Sequence, residues 1–140
     1  MIHLEHLNLV VKDMQKTLDF YQVVFPHWKV RGGGTSDWYG HPRNWLHFGD
    51  DYHYLTFNDN GTGDNRDLKS HQVGLAHFAF VTNDIKGLMS RLQHAGFLEK
   101  IPFEKNENRG NVYYLDPNGY EVEFVTYYSD LPALMNQYNN

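Results

Sequence analysis

Leu4-Glu5-His6-Leu7-Asn8-Leu9-Val10-Val11-Lys12-Asp13-Met14 recurs, 71 positions further on, as Leu75-Ala76-His77-Phe78-Ala79-Phe80-Val81-Thr82-Asn83-Asp84-Ile85. Leu, His, Val and Asp stand at matching places, and Leu7 and Leu9 are answered by Phe78 and Phe80. Each copy reads as a short β-rich strand followed by an Asp suited to capping a helix. The repeat therefore places one histidine in the same structural slot of each half. A duplicated fold that brings two histidines to one place is a candidate metal site.

Working outward, Met14, Leu18, Tyr21 and Phe25 follow Asp13 at helical spacing, and Pro26 ends the run. Residues 28–31 alternate as a strand and enter Gly32-Gly33-Gly34, which predicts a bend or a flap hinge. The stretch through Trp38, Gly40 and Pro42 reads as a loop. Residues 44–48 and 52–57 predict a hairpin across Gly49-Asp50-Asp51. The second half repeats the order: a strand over 75–82, then a helix striped by Ile85, Leu88, Met89 and Leu92 and closed at Ala95-Gly96. A strand near 97–103, a polar loop over 104–111 and a hairpin of 112–115 with 121–126 follow. Asp116-Pro117-Asn118-Gly119 is a strong turn, since Pro presets φ and Gly accepts φ > 0. A short helix is expected at 131–135, with fraying at Asn139-Asn140.

Each half thus reads βαβββ. Four strands and one helix cannot cover both sheet faces, so the halves are expected to pair as one cupped mixed sheet with helices outside, an α+β fold. The expected boundaries are a first module over 1–58, a polar linker over 59–72, a second module over 73–128 and a tail over 129–140, all within one structural domain.

The 140 residues suffice for one compact unit or two small halves sharing a core. A net charge of −5 gives no basic footprint for nucleic acid. No apolar run is long enough to span a membrane, and the N-terminus lacks a secretory pattern. Cysteine is absent, which excludes thiolate ligands and suits a reducing, cytoplasmic setting. Nine histidines exceed what packing requires.

Period two decides which side chains share a face. His6, Asn8 and Val10 face together, as do His77, Ala79 and Val81. Glu121, Glu123 and Val125 share a face of the last strand, and counting along the strands sets Tyr54 opposite Glu123. A pseudo-twofold axis would gather His6, His77, Tyr54 and Glu123 around one point. Two imidazoles and one carboxylate make a facial site with open positions, suited to Fe(II), Mn(II), Ni(II), Co(II) or Zn(II). The open positions admit a small-molecule substrate through adjacent oxygens, with the ion acting as a Lewis acid or binding dioxygen.

From about residue 2 to 127 the chain resembles the vicinal oxygen chelate superfamily of glyoxalases, extradiol dioxygenases, fosfomycin-resistance enzymes and bleomycin-binding proteins. The resemblance rests on His6 with Leu7-Asn8-Leu9-Val10 and Asp13, on Phe20-Tyr21, and on His77. Its most specific part is Tyr113-Tyr114-Leu115-Asp116-Pro117-Asn118-Gly119 followed by Glu123. It implies a glyoxalase-like fold, a homodimer, and metal ligation by His6, His77 and Glu123. Glyoxalase I enzymes carry a fourth ligand, a Glu, at the place read here as Tyr54. A phenol with a pKa near 10 is a poor substitute, so a three-ligand site is expected. The fosfomycin group needs cations around a phosphonate, and no Arg or Lys follows Glu123 as far as Tyr128. Extradiol enzymes need a further acid or base, for which Tyr113 is the candidate, with His71 or His53 conceivable. Tyr54 is a cavity wall or a donor to a bound oxygen. His41, His47 and His53 read as loop or outer-face residues, Trp38 and Trp45 as pocket, core or dimer contacts. Lys105 and Arg109 read as exposed loop charges without a role. The expected activity is lyase, isomerase or dioxygenase chemistry. The alternative is a metal-free protein that sequesters an aromatic or antibiotic-like ligand.

Overall fold

A computed structural model describes residues 1–138; the fraying expected at Asn139-Asn140 lies outside the described residues. The chain divides into two compact units, Met1–Asp64 and Asn65–Asn140. The first holds β1 (His6–Val10), α1 (Met14–Val24), β2 (Lys29–Trp38), β3 (His41–Gly49) and β4 (Tyr54–Asn58). The second holds β5 (Phe78–Val81), α2 (Ile85–His94), β6 (Glu99–Lys105), β7 (Arg109–Leu115), β8 (Glu121–Tyr127) and the short α3 (Pro132–Met135). Each unit carries one four-stranded mixed sheet, ordered β1-β4-β3-β2 and β5-β8-β7-β6. The fold is α+β, built from two βαβββ modules as the repeat predicts.

In both units an Asp opens the helix. The Asp13 carboxylate accepts from the Lys16 amide and that of Asp84 from the Gly87 amide, satisfying donors that no helical carbonyl can reach. Asp84→Ala is therefore expected to lower stability by about 1 kcal/mol in urea unfolding, with Asp84→Asn close to wild type.

One face of each sheet packs on its helix. In the first unit Leu9, Phe48, Leu55 and Phe57 are buried, as are Phe20, Tyr21 and Val24 of α1; the Tyr21 and Phe57 rings lie 5.2 Å apart. In the second, Phe78, Val112, Tyr114, Val122 and Phe124 are buried with Ile85, Leu88 and Leu92 of α2. Burial pushes the Tyr114 phenol up to about 12. Because strands alternate, this leaves the opposite faces to His6, Asn8, Tyr54 and Thr56 in one unit and to Tyr113, Glu121 and Glu123 in the other.

Expectations about three stretches of the chain need correction, the first being residues 32–42. The triple glycine is not a flap hinge but the middle of β2, entered through a register shift between Val30 and Gly32, with Gly33 paired to Leu46 and Gly34 to Trp45. The loop expected through Trp38, Gly40 and Pro42 is a two-residue hairpin turn, Tyr39 (φ 50) and Gly40 (φ 81). Positive φ at both turn positions matches the twist of the flanking strands. Pro42 is tolerated because β3 pairs with β4 only from Trp45 onward.

Second, the polar loop expected over 104–111 shrinks to a tight turn, since the Asn106 side chain accepts from the amides of Asn108 and Arg109. Arg109 therefore starts β7. Third, the strand expected over 75–82 is only β5. Its parallel pairing with β8 starts at Phe78–Val122, so His77 stands just before it. The 116–119 turn forms as read: Asp116 Oδ1 accepts from the amides of Asn118 and Tyr120, and Gly119 sits at φ 84.

Candidate functional site

The side chains singled out by the sequence fall into one cluster in each unit. In the second unit β8 presents Glu123, only 4% exposed, directly opposite Tyr113 of β7. His77 Nε2 lies 3.2 Å from Glu123 Oε2. The Tyr113 hydroxyl hydrogen-bonds Glu123, and its ring meets that of His77 edge-on at 5.5 Å. Burial first, then the Glu123 charge, raises the Tyr113 pKa above its ordinary value, which keeps the phenol protonated. The second histidine, the carboxylate and the tyrosine thus meet as expected.

Two partners of Glu123 were not anticipated. Arg109 Nη2 donates to Glu123 Oε1 at 2.9 Å, and Asn111 Nδ2 donates to the same oxygen at 3.1 Å. Arg109 is therefore no idle loop charge, because the turn at Asn106 places it in β7 on the Glu123 face. The signal was present: Arg109, Asn111 and Tyr113 alternate with Gly110 and Val112. Glu121 is a further neighbour, 3.7 Å from His77 Nδ1 and ion-paired to Lys100.

In the first unit His6 pairs with Tyr54 across β1 and β4, and their rings stack at 4.7 Å. Tyr54 donates to Glu5 Oε1 at 3.0 Å, and His6 Nδ1 lies 2.9 Å from the same oxygen. Burial, then the bond to Glu5, raises the Tyr54 pKa. A register shift between Val30 and Gly32 sets Arg31 over the Tyr54 ring at 4.5 Å, the re-aiming a bulge produces. His47 is not an outer-face residue: it pairs with Thr56, and its ring stacks on Tyr54 at 4.5 Å. Burial, then Arg31, lowers the His47 pKa and leaves it neutral at pH 7.

The registers correct the alignment of the halves. Asn8 pairs with Thr56 and its repeat partner Ala79 pairs with Glu123. The counterpart of Glu123 is therefore Thr56, and His47 is the counterpart of Tyr113. Tyr54 stands one strand repeat earlier, level with Glu121. The halves differ in length before β3 and β7, where the β2–β3 hairpin is longer than β6–β7, so a count along the chain misplaces the counterpart by two residues. The residue at that place is thus a buried threonine rather than a phenol, and neither is a carboxylate.

Two ligands at right angles, each about 2.1 Å from an ion, stand about 3.0 Å apart. The 3.2 Å between His77 Nε2 and Glu123 Oε2 fits such a pair. The second Glu123 oxygen is held by Arg109 and Asn111, as ligating carboxylates commonly are. Among the described residues, no three His, Asp or Glu side chains converge as a metal-holding group. His6, the other histidine of the expected ligand set, belongs to the first unit.

Comparisons with known proteins agree with this fold. The chain resembles in fold a glyoxylase/bleomycin resistance protein/dioxygenase domain from Frankia sp. EAN1pec, with TM-score 0.75, 20% identity, and 94% of this chain and 96% of that one covered. It also resembles the fosfomycin resistance protein FosX from Listeria monocytogenes, with TM-score 0.67, 17% identity and 97% and 99% coverage. A form of FosX complexed with Mn(II) and sulfate ion matches at TM-score 0.63, 21% identity and 90% and 93% coverage. None of the curated proteins matches the chain. The family model described as Glyoxalase/Bleomycin resistance protein/Dioxygenase superfamily matches residues 3–124, and the chain belongs to that superfamily.

Proposed function

We propose that this chain is a metal-dependent enzyme acting on small molecules, with His6, His77 and Glu123 holding one divalent cation. The observation that carries the reading is the 3.2 Å separation of His77 Nε2 and Glu123 Oε2 on a buried sheet face. The FosX form complexed with Mn(II) supports it by analogy of fold. When bound, the cation would supply Lewis acidity and a place for adjacent substrate oxygens.

The chain's own residues do the rest. Glu121, 3.7 Å from His77 Nδ1, would steady the ring once Nε2 gives up its proton to hold the cation. Tyr113, kept protonated by burial, offers a hydrogen bond at the same edge of the site. Tyr54 stacks on His6 and shares Glu5 with it, which holds the imidazole in one orientation. Thr56, where a fourth ligand would stand as a second carboxylate, keeps the ligand charge low and favours lyase, isomerase or dioxygenase action at a three-ligand centre.

Chelator-stripped protein is expected to be inactive and to recover with one equivalent of a divalent ion, whereas His6→Ala does not recover. Oxygen uptake with catechols identifies a dioxygenase; loss of the ultraviolet absorbance of a 2-oxoaldehyde–thiol adduct identifies a lyase. Failure of every ion to restore turnover in either assay would sink the reading. The second reading, a metal-free binder of planar compounds, is favoured by the stacked row His47, Tyr54 and His6. It predicts quenching of tryptophan fluorescence by an aromatic ligand in stripped protein.

A further inference from the structure

The Glu123 carboxylate is engaged before any ion binds. Oε1 accepts from Arg109 and Asn111, while Oε2 faces His77 Nε2 at 3.2 Å. The two donors fill the acceptor sites of Oε1. One of them is a permanent cation, since a guanidinium does not deprotonate. A dication brought to Glu123 meets that fixed positive charge one carboxylate away, and the repulsion is strong where water is excluded.

Arg109 is also poorly held where it is. Its Nε is buried without an acceptor among the described residues. It lines two clefts of the second unit. One, of about 250 Å³, is shared with Glu104, Lys105, Asn106 and Asn111. The other, of about 240 Å³, is shared with Asn106, Leu134, Met135, Asn136 and Gln137. The first offers the guanidinium both room and a second carboxylate, Glu104.

We propose that Arg109 is the resident counter-cation of Glu123 and competes with the divalent metal for it, so that loading the site requires the guanidinium to turn toward the Glu104 cleft. The inference rests on the metal-dependent reading above. In the unloaded protein Arg109 keeps a buried carboxylate neutralised. In the loaded protein its charge weakens the ion and keeps it exchangeable. The opposite sign would follow if Arg109 merely aimed Glu123, since loss of such a support typically costs 10- to 100-fold in metal affinity. Asn111 still holds Oε1 when Arg109 is replaced, so the charge effect dominates.

The test is Mn(II) titration, followed by electron paramagnetic resonance, of wild type, Arg109→Gln and Arg109→Lys. Gln preserves an N–H for Oε1 and removes the charge; Lys preserves the charge. Arg109→Gln is expected to bind Mn(II) on the order of tenfold more tightly than wild type, with Arg109→Lys near wild type. In metal-free protein Arg109→Gln melts at a lower temperature than wild type. Unchanged or weaker binding by a folded Arg109→Gln overturns the proposal while wild-type binding leaves the metal reading standing. Failure of all three proteins to bind overturns both. Should Arg109→Gln not fold, the wild-type Arg109 Nε–H resonance decides: it moves on loading with diamagnetic Zn(II), and an unmoved resonance refutes the exchange.

Discussion

Glu123→Ala is expected to abolish stoichiometric metal binding and to destabilise the metal-free protein by about 2–3 kcal/mol. The first effect follows from removing the only buried carboxylate beside His77. The second follows from what is left behind: Arg109, Asn111 and Tyr113 lose a shared acceptor on a face where Glu123 itself is 4% exposed. Truncating one partner of such a pair costs 2–5 kcal/mol, and the part-exposed guanidinium, which regains water, sets the low end. Glu123→Gln separates the two effects. It keeps an acceptor for Asn111 and the shape of the site, so it recovers part of the stability while metal binding stays lost. Elemental analysis after dialysis reads the first effect and urea unfolding the second. Retention of one ion per chain in Glu123→Ala would remove Glu123 from the ligand set.

Phe124→Ala is expected to cost about 3–5 kcal/mol, the largest stability effect of any substitution considered, with no direct loss of a site donor. Phe124 is wholly buried, with the Tyr114 ring at 6.0 Å and the Phe80 ring at 6.3 Å. It stands beside Glu123 in β8 but points to the α2 face, so its removal leaves a cavity under the strand that carries the ligand. Phe124→Leu keeps most of the volume and is expected to cost less than half as much. Trp28, Trp38 and Trp45 all lie in the first unit, so tryptophan fluorescence reports that unit alone. Far-UV circular dichroism therefore reads the loss in the second. A Phe124→Ala midpoint equal to wild type would contradict the packing described.

How much of this was legible in the chain divides along physical lines. The helix caps at Asp13 and Asp84 and the 116–119 turn were readable because their signals are local. The equivalence of His6 and His77 in their two sheets was readable because duplication preserves strand phase. Tyr113 falls opposite Glu123 because a tight turn fixes the register of β7 and β8. The identity of the residue opposing Glu123 across the repeat was not readable. The extra length of the β2–β3 hairpin shifts the count along the chain, and only the register shows that Thr56 holds that place. The long β2 strand was hidden because three glycines carry no side chains from which a face could be read. Arg109 was missed because a polar run before a strand looks like loop until the Asn106 side chain closes the turn. His47 was set on the wrong face for a related reason: its phase depends on the bulge and hairpin of the neighbouring strands.

The central claim is that histidines from the two units serve one ion. The direct test follows the imidazole proton resonances of His6 and His77 by nuclear magnetic resonance while Mn(II) is added below one equivalent. The account predicts that both sets broaden together, at the same metal concentration, and that Glu123→Gln prevents the broadening of both. Broadening of His77 alone, or of neither, would contradict it.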